Sequence, residues 1–564
     1  MRDETSEPST SRRAGAAKLA ARIVAAILLV AAQAADAVGS VDQQNNILAR
    51  MREYDREAPV DYGPGPGIPR ARAGFAAAAA PLASSAQIPL GNAAAAMRGM
   101  FGAVASWPII PLHTTLLPDG RVLNYGTSET GAQGAQLIYD IWNPALGTGS
   151  NAHMILPNTT PTDIFCSAAA IMWTTGDVLI SGGDLTINGT RNFANNGTNT
   201  FTPGTNLLKH LAPMAEPRWY PTLLSLHTGE MLVMGGSSEQ AVPTYTPEIF
   251  TAATGWRQLT GAKSQAAFGN TSAGYANWYY PRAFVTFDSR ILIVGVDGAM
   301  FMLTPSESGY IKTIAQKVPV GSVELPSVMY APGKILTVRA NAQAFVIDIT
   351  GANPVVTQTA SLSQVRDWSS ATVLPDGRVL VTGGSSVSYQ LTGTDYNAEI
   401  WNPSTGKWTI GAAATKPRLY HSIALLLPDG SVLTGGGGAP GPVKNLNAEI
   451  YYPPYLYNSN GSGQPAARPT IIAAPLVASS GTQAQASVNA GDSISRVTFV
   501  RMGTDTHSFD PEQRFIGLPF TQAGTQVSFT LPGDTNIVTP GYWMLFVFNK
   551  AGTPSVARTV LVQK

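Results

Sequence analysis

From Trp107 onward, short apolar runs alternate with turns built from glycine, proline, aspartate and threonine. Runs that short, bounded by turn chemistry, predict strands rather than helices. One unit recurs: a turn, a β-rich run, then often a pair of glycines. Its copies are PDGRVLNYG at Pro118, TGDVLISGG at Thr175, TGEMLVMGG at Thr228, DSRILIVG at Asp288, PGKILTV at Pro332, PDGRVLVTGG at Pro375 and PDGSVLTGGGG at Pro428. The first apolar residues after these turns are Val122, Val178, Met231, Ile291, Ile335, Val379 and Val432, at gaps of 56, 53, 60, 44, 44 and 53 residues.

A period near fifty with a diglycine behind an apolar strand is the mark of kelch repeats. Seven copies predict an all-β architecture, a seven-bladed kelch β-propeller over 107–466, in which radial closure protects the strand edges. The fragments YDIWNP (Tyr139–Pro144), AEIWNP (Ala398–Pro403) and AEIYYP (Ala448–Pro453) keep step with the repeat. After ARPTI (Ala467–Ile471) the pattern changes to short alternating strands, among them SRVTFVRMG and YWMLFVFN. About a hundred such residues fit an immunoglobulin-like β-sandwich over 467–564.

The first 106 residues follow neither pattern. Arg12 and Arg13 precede an apolar run, Leu19–Gln33, and a small-x-small site at Ala35–Ala37. That is the form of an export signal over 1–37, with an uncleaved anchor as its rival. Residues 38–106 are rich in Ala, Gly and Pro and read as a linker or arm. A formal net charge of +1 with 13% charged residues speaks against a nucleic-acid partner. The mature chain is therefore expected to be secreted or periplasmic, without a membrane span.

Export changes how Cys166 is read. It is the only cysteine, so it has no disulfide partner within the chain in an oxidising compartment. Its bland reading is a small core hydrophobe. The repeat supplies a second. Cys166 lies 10 residues before turn glycine Gly176, Tyr220 lies 9 before Gly229, Trp368 lies 9 before Gly377, and Tyr420 and His421 lie 10 and 9 before Gly430. These residues share one position, the start of the strand leading into the turn, which in a propeller becomes a ring about the axis. No carboxylate is expected in that ring. Imidazole and phenolate donors in a tetragonal set suit Cu(II). Zinc would draw on Cys, His and carboxylate in a tetrahedron, and calcium on many oxygens. His113, His153, His210 and His227 read as structural.

On these motifs the chain resembles the copper radical oxidases, the galactose oxidase and glyoxal oxidase group. DIFCS (Asp163–Ser167) is similar to the family's cysteine motif, RWYPT (Arg218–Thr222) to its radical-tyrosine motif, RLYHSIALLLPDGSVLTGGGG (Arg418–Gly438) to its Tyr-His segment, and GTDTHSFDPEQR (Gly503–Arg514) to its second histidine motif. PGYWMLFVFNKAGTPSVA (Pro540–Ala557) is similar to the end of the family's early-set sandwich. The resemblance spans about 107–564. It implies a Cu2+ ion held by Tyr220, Tyr420, His421 and His507, and a Cys166–Tyr220 thioether that makes Tyr220 a radical cofactor. It assigns Tyr420 the role of base, and it implies a small aldehyde or primary alcohol as substrate with O2 reduced to H2O2. One family feature is missing. The tryptophan that shields the thioether in galactose oxidase falls here at about Ser238, which leaves Trp219 or Trp368 to replace it. NWYYPRAF (Asn277–Phe284) leans toward the glyoxal oxidases. The competing reading is a non-catalytic propeller for adhesion or for binding a cell-envelope or matrix glycan, with a free thiol at Cys166. A peroxide generator for cell-wall or matrix modification shares the oxidase chemistry.

Overall fold

The computed structural model describes residues 88–187, 190–239 and 242–564. The expected export signal and most of the 38–106 arm lie outside them. Seven antiparallel sheets of four principal strands stand in sequence, and one strand of each lies innermost. The innermost strands are His113–Leu116, Ala168–Ile171, Trp219–Ser225, Arg282–Val285, Ser327–Ala331, Asp367–Val373 and Ser422–Leu426. Inner strands are buried almost throughout, whereas an outer strand such as Val355–Thr359 alternates toward solvent. These sheets are the blades of the seven-bladed kelch propeller.

Blade seven is closed from the other end of the chain. Its own strands end at Asn447–Tyr452, and the outer edge of that strand takes Met100–Phe101 and Ala105–Ser106. Tyr451 Oη also donates to Arg98 O at 2.7 Å. The described end of the arm is thus built into the last blade. A variant beginning at Trp107 would expose an unpaired strand edge. It is expected to melt several degrees below the full chain and to aggregate on heating, read by calorimetry and light scattering.

The sandwich has two sheets. One pairs Ile471–Ala473, Gln483–Val488, Gln526–Thr530 and Phe520–Ala523; the other is centred on Ile494–Arg501 and Gly541–Asn549. Its core packs Val497, Phe499, Trp543, Leu545 and Val547. Among the described residues, no helix is long and apolar enough to cross a membrane.

A loop of the sandwich, 503–514, plugs the propeller axis. Thr504–Asp505 pairs with the inner strand of blade one, and Thr504 Oγ1 donates to Ala169 O of blade two. Glu512 accepts from Ser225 N of blade three, Gln513 from Val373 N of blade six, and Asp505 from Ala424 N of blade seven, at 2.7, 2.7 and 2.6 Å. Arg282 of blade four donates to His507 O, and Arg514 bridges to Met329 of blade five. Backbone groups on the inner strands that face the axis are thereby satisfied, as burial demands.

Candidate metal centre

The ring position is a conformational device. Cys166, Tyr220, Trp368 and His421 all have left-handed backbones, with φ of 54°, 65°, 64° and 65°. A non-glycine residue there costs roughly 1–3 kcal/mol and turns its side chain away from the strand's own alternation. The offset of one at Cys166 has a simple origin. Gly176 N bonds to Met172 O, four residues back, whereas Gly229, Gly377 and Gly430 bond three residues back. Blade two has one extra residue in its turn.

Sequence spacing missed two members of the ring. Tyr280 has φ of 38° and lies nine residues before Ser289. Blade four uses Ser289, at φ 65°, where other blades use glycine. Glu324 lies nine residues before Gly333, so the expectation of a ring free of carboxylates is corrected. Backbone bonds stitch neighbours together: Tyr220 N to Cys166 O (3.0 Å), Tyr280 N to Tyr220 O (2.9 Å) and Trp368 N to Glu324 O (3.0 Å).

Buried arginines hold the strained turns in place. Arg218, Arg366 and Arg418 stand two or three residues before the ring position and pair with Glu248, Glu399 and Glu449 at 3.0–3.1 Å. Each also donates to a carbonyl of its diglycine segment: Gly235, Gly383 and Gly436. This explains why PEI and AEI recur, since the glutamate anchors the arginine. Arg218→Ala would leave Glu248 buried without its cation, and is expected to lower stability by about 3–5 kcal/mol in a denaturant titration.

Five predicted side chains meet on the axis. Tyr220 Oη and Tyr420 Oη lie 2.9 Å apart. Cys166 Sγ lies 3.8 Å from His421 Nε2 and 3.7 Å from His507 Nε2. The ring centroids of His421 and His507 are 4.6 Å apart, and those of Tyr420 and His421 are stacked at 3.7 Å. All five residues are buried. His421 Nδ1 donates to Gly438 O at 2.7 Å, and His507 Nδ1 stands 2.5 Å from Thr506 Oγ1. Both imidazoles therefore turn Nε2 toward the cluster, as metal-binding histidines held by an outer partner do. Burial pushes the His421 imidazolium down to about 3 and also holds His507 well below its ordinary value, aided by the positive fields of His421, His113 and Arg282. Both rings are neutral donors at ordinary pH. Burial, with Tyr220, Tyr279 and Tyr389 nearby, raises the Tyr420 phenol well above its usual range. A buried cation would reverse that preference. The donor set fits a copper ion.

The aromatic surroundings answer the question left by Ser238. That serine is half-buried and donates to Val242 O. Trp219 lies on the Tyr220 ring, centroids 4.1 Å apart at 32°, and Tyr279 covers it at 4.4 Å. Trp368 packs against Tyr420 at 4.4 Å instead. Of the histidines read as structural, His153 pairs with Asp140 and His210 contacts Asn199. His113 stacks on Tyr125, and its ring centroid lies 5.8 Å from that of His507.

Known proteins are similar to this chain in sequence and fold. Residues 468–562 match the family model described as galactose oxidase-like, early set domain. A galactose oxidase of Gibberella zeae is 29% identical over 500 residues, 82% of this chain and 70% of the relative. The chain is similar to galactose and aldehyde oxidases. An aldehyde oxidase of Vitis pseudoreticulata is 25% identical over 520 residues, covering 83% of this chain and 95% of that one. A second, from Arabidopsis thaliana, is 24% identical over 495 residues, 75% of each chain. In fold, the chain is similar to a fungal alcohol oxidase of the AA5 family solved in complex with copper. The TM-score is 0.73 at 23% identity, over 83% of this chain and all of that one. The relatives support the fold class and the oxidase kinship inferred from the motifs.

Proposed function

We propose that this chain is an exported copper radical oxidase acting on small aldehydes or primary alcohols. The reactions balance as RCH2OH + O2 → RCHO + H2O2, and RCHO + H2O + O2 → RCOOH + H2O2. The observation that carries the reading is the meeting of two phenols and two neutral imidazoles at one buried point, with Cys166 bonded through its carbonyl to Tyr220 N. Tyr220, Tyr420, His421 and His507 would hold the ion. Bound copper and a thioether-linked Tyr220 supply the two one-electron centres that a two-electron oxidation by dioxygen requires. Tyr420 Oη takes the substrate hydroxyl proton, a role open to a phenol whose proton affinity a nearby cation lowers. Thr506 and Gly438 O keep the imidazoles turned inward, and the Trp219 and Tyr279 rings keep water off Tyr220.

A specific observation supports a second reading. Cys166 Sγ, His421 Nε2 and His507 Nε2 lie within 4.8 Å of one another, which suits a metal bound through a thiolate. In that case no thioether forms. The oxidase reading is tested by peroxide release from copper-loaded protein across a panel of aldehydes and primary alcohols. Substrate-dependent peroxide is expected, and its absence across the panel would overturn the reading.

A further inference from the structure

We propose that Arg282 is a positioning residue for the metal centre, clamping the His507 carbonyl to the ring segments of blades four and five so that the imidazole keeps its aim; this rests on the copper reading above. Arg282 is 6% exposed and follows the blade-four ring residue, Tyr280, by two positions. Its Nη1 donates to Tyr280 O at 2.9 Å, and its Nη2 to Val323 O, Leu325 O and His507 O at 2.8, 3.2 and 3.3 Å. The guanidinium also lies over the Phe509 ring, 4.8 Å from its centroid. One side chain thus joins blade four, blade five and the axial plug. The backbones it joins are strained: φ is 38° at Tyr280, 48° at His507 and 64° at Ser508. Such residues persist only where their surroundings fix them. The Tyr280 ring in turn stacks on His507, centroids 4.6 Å apart at 29°.

Arg282 differs in kind from the other arginines beside the ring. Arg218, Arg366 and Arg418 precede their ring residues, and each pairs with a glutamate. Arg282 makes no ion pair among the described residues, and its hydrogen bonds go to carbonyls alone. Burial lowers its pKa to about 10, so it remains a cation at neutral pH. Burying a cation without a carboxylate is unfavourable, and converging carbonyl dipoles are what hold it here. A planar fork of fixed donors reaches carbonyls on three segments at once, which a lysine ammonium does not reproduce. Arg339 supplies a comparison inside the same molecule. It is 3% exposed, makes no ion pair among the described residues, and donates to Pro319 O, Gly295 O and Val296 O at 2.6, 3.0 and 3.2 Å. None of those carbonyls lies in the plug. Loss of Arg339 therefore loosens the fold near blades four and five without releasing His507.

The test compares Arg282→Met, Arg282→Lys and Arg339→Met with the wild-type full chain. Copper affinity is read by competition with a chelator, and the bound ion by its electron paramagnetic resonance spectrum. The plug is read by hydrogen exchange of peptides from 503–514 in metal-free protein. Arg282→Met is expected to weaken copper binding by about 10–100-fold, the usual loss on removing a group that orients a metal ligand, and to alter the copper hyperfine splitting. Arg282→Lys keeps the charge but not the fork, and should show the same spectral change. Both variants should speed exchange across 503–514, and Arg282→Lys carries the comparison if Arg282→Met does not fold. Arg339→Met should lower the melting temperature while leaving the copper spectrum and the exchange of 503–514 as in wild type. If wild type binds no copper, the copper reading fails by itself, and exchange in the metal-free variants still decides the clamp. Unchanged exchange in the Arg282 variants, full rescue by lysine, or equal effects from Arg339→Met overturns the proposal while leaving any measured copper binding standing.

Discussion

Protein treated with copper and dioxygen, then denatured, is expected to resist alkylation at Cys166. The proposed linkage would join Sγ to a ring carbon of Tyr220, as RSH + ArH + O2 → RSAr + H2O2. The protein loses two hydrogens, about 2 Da, and the nucleophilic thiolate disappears. The structure favours this pairing because Tyr220 N bonds to Cys166 O at 3.0 Å and both residues share the left-handed backbone. Denaturation is essential, since a fully buried thiol is also silent in the folded protein. The tryptic peptides bearing Cys166 and Tyr220 should migrate as one. Cys166→Ser should still take up copper but lose most turnover. A fully alkylatable thiol after copper treatment would favour either the thiolate-ligand reading or the non-catalytic propeller. Copper binding by the wild type, weakened in Cys166→Ser, separates these two, because the thiolate reading requires a bound metal and the non-catalytic propeller requires none.

Tyr420→Phe is expected to lower turnover by about 10²–10⁴-fold, the usual loss on removing a positioned acid or base. The ring remains and can still stack on His421 at 3.7 Å and against Trp368 at 4.4 Å. Fold and melting temperature should therefore hold, and the copper content per chain should fall far less than activity. His507→Ala should lose copper as well, so metal analysis beside turnover distinguishes a ligand from a base. Tyr420→Phe with unchanged turnover would move the proton-accepting role to another group.

Much of this arrangement was legible in the sequence because the turn glycines act as rulers. Counting back from Gly229 and Gly430 finds Tyr220 and His421, whose strained backbones the count could not reveal. The ruler failed in blade four, where Ser289 adopts the left-handed turn position and hides Tyr280. Glu324 escaped notice because Gly333 lacks the following diglycine, and a single carboxylate carries no pattern. The strands that close blade seven, Met100–Phe101 and Ala105–Ser106, are too short for any periodicity. The Arg218–Glu248 pairing and its counterparts were visible only as recurring letters; their partnership depends on which carbonyls face the guanidinium. Trp219 was one of two candidates for the shield, and only the stacking on Tyr220 decides between them.

The plug at 503–514 has a bearing on when such chemistry begins. His507 reaches the axis only after the sandwich that carries it has been made, and the plug bonds to all seven blades. The seventh blade in turn is completed by a strand from near the other terminus. A nascent chain still leaving the ribosome, or one clipped near residue 467, thus has phenols and one imidazole but no complete donor set. The architecture would work as an assembly interlock, in which the proposed oxidant could be generated only by a finished molecule.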